Sequence, residues 1–237
     1  MSQPIHESLI TRMEIKDLSE FKQADIEVLL RRVPFFKELQ LRDGEQLGVL
    51  MRHSCIVELD PGEVIMRRGD RGSWLYFLIK GGLDVYFDSP DLSEPLNQIT
   101  PGELFGDLAL LCDHQRKATV AATKGLRGAV LFATDFRPFG DIENFSAVSL
   151  STKLTFYRTM VHSIRWRLEV KRMEQQDHPL ANELRQVRFF SGEKDSKDEL
   201  LSLFEQAQML ASILDRWNNQ GAAIQDIFIA GPDGESL

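Results

Sequence analysis

Residues 55–134 contain short β-rich segments that alternate with glycine-containing turns. Valine, isoleucine, phenylalanine and tyrosine are frequent in the segments, and these residue types favour strands. The turns combine glycine with aspartate, proline or lysine, which lets the chain reverse direction over a few residues. Because no long helical pattern separates the segments, this stretch predicts an antiparallel sandwich or barrel. The predicted strands are CIVEL, VIMRR, SWLYFLIK, LDVYF, LNQIT, ATVAA and GAVLFAT.

Helical periodicity precedes this β-rich stretch. Residues 1–32 are predicted to form an N-terminal helical segment, because apolar residues recur near one face of a helix. A proline-broken turn then follows from Val33 and leads into one short amphipathic helix that ends near Met51. The apolar residues of the first segment are Phe21, Ile26, Leu29 and Leu30.

A long helix is predicted over residues 146–175, where apolar residues are spaced alternately four and three positions apart. This period of about 3.5 residues is typical of helices that pair with a second copy, so the helix predicts a homodimer. The alternative is that the stripe packs on the chain's own barrel. A basic cluster at residues 165–172 is interpreted as a solvated flank of the same helix. The stripe consists of Leu150, Leu154, Tyr157, Val161, Ile164 and Leu168.

Residues 177–237 are predicted to form a small helical extension. Pro179 interrupts the preceding helix, and a second helix with a broad apolar face is expected at residues 197–217. One short strand-like run is expected after it. The extension lacks the succession of compact helix, glycine turn and basic recognition helix that a helix-turn-helix DNA reader needs.

The overall composition limits the classes of function. The net charge of −8 argues against a protein that mainly holds DNA, because neutralising phosphates needs a basic face. The cysteines Cys55 and Cys112 have no metal-ligand spacing and suit a reducing, cytoplasmic compartment. No apolar run approaches the length of a membrane span. No nucleophile motif or metal-spaced histidine set is present, so no catalytic residue, metal or cofactor is expected.

The ordered motifs VPFFKEL, LDPGEVIMRRGDRGSWLYFLIKGGLDVY and ITPGELFGDLALLCDHQRKATVAA resemble the cyclic nucleotide-binding domain. This is the module that the catabolite activator protein shares with the regulatory subunits of protein kinase A. The resemblance places the domain at residues 33–176, including the long helix. It implies an α+β fold, an antiparallel β-roll of the jelly-roll type flanked by N-terminal helices and by that helix.

The resemblance also implies a binding site in the stretch FGDLALLCDHQRKA. Gly106 allows a turn that most side chains disfavour, and a short helix then presents its amide groups to an anion. Arg116 is suited to bind two oxygens of a cyclic phosphate at once, although in isolation a surface salt bridge is its simpler interpretation. The implied ligand-binding residues are Phe105, Gly106, Asp107, Leu108, Ala109, Arg116, Lys117 and Ala118.

Two positions depart from the family pattern. Asp107 stands where the family has a glutamate that binds the ribose hydroxyl, and a lost or lengthened hydrogen bond lowers affinity by roughly ten- to a hundredfold. Lys117 stands where the family has a small residue or threonine, and it adds positive charge beside the phosphate. The ligand that the resemblance implies is cyclic AMP (cAMP), and the alternatives are cyclic GMP and cyclic di-GMP.

The sequence therefore predicts a non-enzymatic, cytoplasmic cyclic nucleotide receptor. It relays ligand binding to a protein partner through its C-terminal helices, and neither a membrane nor nucleic acid is the expected partner. One alternative is a transcriptional regulator of the catabolite activator type with an atypical C-terminal region. The other is a degenerate domain that binds no nucleotide and acts as an interaction scaffold.

Overall fold

The computed structural model describes residues 14–17, 30–31, 33–90, 94–112 and 115–229, with the backbone alone for residues 221–229. The strands in these residues form two antiparallel sheets. The five-stranded sheet has the order β1-β2-β9-β4-β7, and the four-stranded sheet has the order β3-β8-β5-β6. The strands are β1 (Glu14–Asp17), β2 (Ser54–Leu59), β3 (Val64–Met66), β4 (Trp74–Lys80), β5 (Leu83–Tyr86), β6 (Asn97–Ile99), β7 (Leu104–Phe105), β8 (Thr119–Ala122) and β9 (Ala129–Asp135).

Helices flank the two sheets. The predicted short helix before residue 51 is two helices, separated at Asp43. The long helix is confirmed and begins at Leu150, where the Ser149 hydroxyl accepts a hydrogen bond from the Thr152 backbone N–H at 3.2 Å. The helices are α1 (Pro34–Arg42), α2 (Gly44–Met51), α3 (Asp107–Leu111), α4 (Arg137–Gly140), α5 (Leu150–Glu174), α6 (Pro179–Gln186) and α7 (Lys197–Ile229).

The α+β fold with antiparallel sheets and a long C-terminal helix agrees with the expectation from sequence, and three local predictions are corrected. Each predicted strand is present, but β1 and β7 were not foreseen. The N-terminal segment is not wholly helical, because β1 pairs with β2 in register Ile15 to Val57. The predicted helical face at Phe21, Ile26 and Leu29 lies outside the described residues. The strand-like run near the C-terminus is wrong, because α7 continues to Ile229.

Two apolar clusters build the core. Alternate residues of the central strands face opposite sides, as the strand period of two requires. Phe77 and Phe132 point towards the helices, whereas Leu78 and Leu131 point into the space between the sheets. Both faces of the five-stranded sheet are therefore covered, which explains why β4 and β9 are apolar at nearly every position.

The apolar stripe of α5 is buried within a single chain. Leu154, Tyr157, Val161, Ile164 and Leu168 are buried and Leu150 is half-buried, because α5 packs along α7 and against α1. The stripe thus lies where the alternative interpretation placed it, on the chain's own fold. It is not an open seam for a second copy, and a homodimer through residues 146–175 stays a prediction.

The C-terminal extension shares this core. Leu180 and Leu184 of α6 and Leu203, Leu210 and Trp217 of α7 belong to the same apolar cluster as α5. The boundary proposed at residue 176 therefore divides the sequence but not the hydrophobic core. No helix within the described ranges combines the length and apolarity needed to cross a membrane.

Candidate ligand-binding site

Arg116 is held inside the fold and not at the surface. Its backbone N–H donates to the Asp70 carbonyl at 2.8 Å, and its carbonyl accepts from the Gly69 N–H at 2.8 Å. Its guanidinium donates from Nη1 to the Gly106 carbonyl at 3.0 Å and from Nη2 to the Trp74 carbonyl at 2.8 Å. The residue is only 4% exposed, so the surface salt bridge considered from sequence is not its arrangement.

Two glycines make room for this guanidinium. Gly106, at the N-cap of α3, has φ 85°, a value that side chains other than glycine disfavour. A Cβ atom at Gly106 would lie 2.8 Å from Arg116 Nη1, and one at Gly72 would lie 2.5 Å from Nη2. The role of Gly106 follows the sequence expectation. Gly72 was missed, and its only signal was the glycine-rich run RGDRG.

The electrostatic surroundings of Arg116 are those of a buried cation. Burial lowers the pKa of the guanidinium, while the neighbouring Tyr76, Asp107 and Asp70 act in the opposite direction. The guanidinium carbon also lies 5.6 Å from the centre of the Tyr76 ring. Since an arginine keeps its proton in proteins, the site contains a fixed positive charge in a region of low dielectric constant.

Asp107 is the first residue of α3 and is 1% exposed. Its carboxylate accepts a charge-assisted hydrogen bond from Nη2 of Arg167, which α5 supplies. The sequence interpretation missed Arg167, because it treated the basic cluster at residues 165–172 as a solvated flank. The predicted ribose-binding carboxylate is therefore engaged by the long helix.

Lys117 and Ala118 follow Arg116 and are half-buried. The Lys117 Nζ lies 3.5 Å from Oδ2 of Asp215 on α7, and both side chains are largely buried. The C-terminal extension thus contacts the predicted site directly. The sequence carried no signal for this pair, because its two members are far apart along the chain.

The remaining predicted site residues form the apolar support of the site. Phe105 ends β7 and stacks on Tyr76 with a centroid distance of 5.2 Å. Leu108 and Ala109 lie in α3 and are buried. The fold therefore brings together Gly106, Asp107 and Arg116, with Lys117 beside them, and it adds Gly72, Arg167 and Asp215. A turn of backbone N–H groups, a guanidinium and a carboxylate in one place can receive an anion with an adjacent hydroxyl group.

Comparison with known proteins agrees with this geometry. Residues 56–141 match the family model of the cyclic nucleotide-binding domain. This central stretch of the chain is similar to a cyclic nucleotide-binding domain. The resemblance expected from the sequence is thereby confirmed for the central part of the chain.

The cyclic nucleotide-binding domain has relatives among regulatory subunits. The chain is 35% identical over 105 residues to the cAMP-dependent protein kinase type II regulatory subunit of Drosophila melanogaster, a match that covers 44% of this chain and 27% of that protein. It is 31% identical over 118 residues to the cAMP-dependent protein kinase regulatory subunit of Colletotrichum orbiculare, covering 49% and 29%. The matches thus span less than a third of the length of these relatives.

Among solved structures, the N-terminal domain of a transcriptional regulator from Streptomyces coelicolor A3(2) is 28% identical. The match covers 60% of this chain and 94% of that domain, with a TM-score of 0.44.

Proposed function

We propose that the chain is a non-enzymatic receptor for a cyclic nucleotide and that the ligand is cAMP. The observation that carries this proposal is the buried guanidinium of Arg116. It donates to two neutral carbonyls, and no carboxylate in the part of the chain that the structure describes forms an ion pair with it. Burying a charge without a bonded counter-charge is costly, so the arrangement favours an anion as ligand.

The carbonyl bonds also orient Arg116 for such a ligand. A guanidinium has more N–H donors than these two bonds use, so it can bind phosphate oxygens without leaving its anchor. A side chain that is already fixed loses little conformational entropy when the ligand arrives. Asp107, on the adjoining turn, can accept a ribose hydroxyl. The names of the relatives, which are cAMP-dependent, support cAMP as the nucleotide.

Titration calorimetry of the whole chain tests this proposal. We expect heat of binding with cAMP, and weaker or no heat with cyclic GMP and cyclic di-GMP. Binding of cyclic di-GMP alone would support the receptor function but contradict cAMP as its ligand. The absence of heat with all three nucleotides would contradict the receptor function.

The relay to a protein partner is proposed to run through α5 and α7. Arg167 of α5 is bonded to Asp107, and α5 packs along α7. A ribose hydroxyl that takes Asp107 from Arg167 changes this contact between the site and α5. The two arrangements of the Arg167 side chain then form a two-state element that both the ligand and a partner can bias.

A second function is favoured by one specific observation. Asp107 and Lys117 already have partners within the chain, in Arg167 and Asp215. This arrangement suits a degenerate domain that binds no nucleotide and acts as an interaction scaffold. The titration separates the two functions. A transcriptional regulator is not favoured, because α6 and α7 pack into the common core and do not form a separate reader module.

A homodimer through α5 is proposed to use the exposed face of that helix. Trp166 and Met173 are 62% and 55% exposed, and half-buried Val170 lies between them at helical spacing. We expect Trp166→Arg to shift the chain from dimer to monomer in size-exclusion chromatography with light scattering. Leu41→Arg, at another exposed leucine, serves as the control and leaves the dimer intact. A wild-type chain that is monomeric at high concentration would contradict the dimer.

A further inference from the structure

Helix α7 of the C-terminal extension contacts elements that form the candidate site. It packs along α5 and also against α3, the short helix that follows the Gly106 turn. These are the two helices that carry Arg167 and Asp107, whose side chains are bonded to each other. One helix of the extension therefore touches both elements that position the predicted ribose contact.

The buried face of α7 is mostly apolar and joins the core that contains α3. Leu108, Leu110 and Leu111 of α3 are buried in the same cluster as the inward residues of α7. Solvent would reach this apolar surface of α3 if α7 left it, so the apolar contact favours the closed arrangement. The buried apolar residues of α7 are Leu200, Leu203, Ala207, Leu210, Ala211, Ile213, Leu214 and Trp217.

Ion pairs hold α7 in place, and besides the pair of Arg216 with Glu183 of α6 they act at two points. Near its N-terminal end, buried Glu199 accepts from Arg158 of α5 at 2.6 Å, and Asp195 accepts from the same guanidinium at 2.9 Å. Further along, Asp215 lies 3.5 Å from the Lys117 ammonium group. The first point joins two helices. The second joins α7 to the site itself, one residue after Arg116.

The second point places the extension in competition with a nucleotide. Lys117 directly follows Arg116 in the chain, and its ammonium group pairs with Asp215. A phosphate bound by Arg116 would therefore attract this ammonium group in competition with Asp215. We propose that α7 is a built-in cover whose Asp215 competes with the phosphate of the nucleotide for Lys117. Ligand binding and the closed position of α7 then oppose each other, and this coupling is reciprocal by thermodynamic necessity.

The inference deepens the proposed receptor function and rests on it. It assigns the extension at residues 177–237 a regulatory role within the chain itself. It also gives a reason for a lysine at position 117, where the related family has a small residue or threonine. Through its ion pair with Asp215, Lys117 couples the position of α7 to ligand binding at the site.

The Asp215→Asn variant of the full chain tests the cover. It keeps the size of the side chain and removes its charge, so the attraction to Lys117 weakens. We expect its affinity for cAMP in titration calorimetry to rise roughly 3- to 10-fold over wild type. We also expect faster hydrogen–deuterium exchange of the amides in residues 107–112 without ligand, because α3 loses part of its cover. Glu205→Gln is the matched control, since it neutralises an exposed carboxylate on the same helix.

The outcomes separate the two proposals. Binding of cAMP by Asp215→Asn but not by wild type would support a cover that is fully closed. Equal affinity of wild type and Asp215→Asn, or unchanged exchange in residues 107–112, would overturn the cover while the receptor function stands. No binding by wild type or by either variant would overturn the receptor function, and the cover with it.

Discussion

The Arg116→Ala variant is expected to bind cAMP at least about 100-fold more weakly than the wild-type chain. Each charge-assisted hydrogen bond from the guanidinium to a phosphate oxygen contributes about 1.5–3 kcal/mol, and two such bonds convert to roughly 10²- to 10⁴-fold in affinity. The guanidinium already lies at the Gly106 turn, so its truncation removes the cation around which the site is built.

Titration calorimetry with cAMP measures this loss of affinity. Two further variants serve as comparisons. Arg116→Lys keeps the positive charge but cannot bond two oxygens in one plane, so we expect an intermediate affinity. Arg71→Ala removes an exposed arginine from the loop beside Arg116 and is expected to bind as wild type does. If Arg116→Ala bound cAMP as tightly as wild type, the phosphate would have to bind at another place.

The Leu210→Ala variant is expected to lose about 2–5 kcal/mol of the free energy of unfolding. Leu210 lies on α7 with 0% exposure, and its truncation leaves a cavity in the core that α5 and α7 share. Its neighbour Met209 is 47% exposed on the same helix, so Met209→Ala is expected to change stability by less than about 0.5 kcal/mol.

Denaturation with urea, followed by circular dichroism, measures both variants. A single cooperative transition that moves to lower urea in Leu210→Ala indicates that α7 folds together with the domain. A separate early transition for the helices, with the β-roll unchanged, would show that the extension is only an appendage. In that case the proposed cover would lack the stability to close the site.

Much of the fold could be predicted because its signals are local. β-branched and aromatic residues between glycine-containing turns predict the strands of the roll, and the structure contains each predicted strand. β1 could not be found in this way. Its sequence EIKD is short and mostly polar, and it becomes a strand only because β2 offers an open edge.

The apolar stripe of α5 shows that the spacing of apolar residues along a helix does not identify the helix's packing partner. Over a few turns a period of 3.5 residues differs from 3.6 by only about 20° per heptad, so the spacing marks an apolar face without identifying what covers it. In the structure α7 covers much of that face. The length of α7 was underestimated for a related reason, since the polar residues that follow Trp217 interrupt the apolar pattern without ending the helix.

The central residues of the site could be predicted from one stretch of sequence, whereas the residues that α5 and α7 contribute could not. Gly106, Asp107 and Arg116 lie within eleven positions of one another, and a short turn brings them together. Arg167 and Asp215 reach the same place only through the packing of α5 and α7 on the domain. Pairs of this kind depend on tertiary structure, and a single sequence carries no local sign of them.

A crystal structure of the chain with bound cAMP tests the central claim most directly. We predict phosphate oxygens at about 2.7–2.9 Å from the Arg116 guanidinium, with Asp107 turned from Arg167 towards the ribose. Density for the nucleotide at any other place, with Asp107 still bonded to Arg167 and the space beside Arg116 filled by the chain's own side chains, would contradict the account.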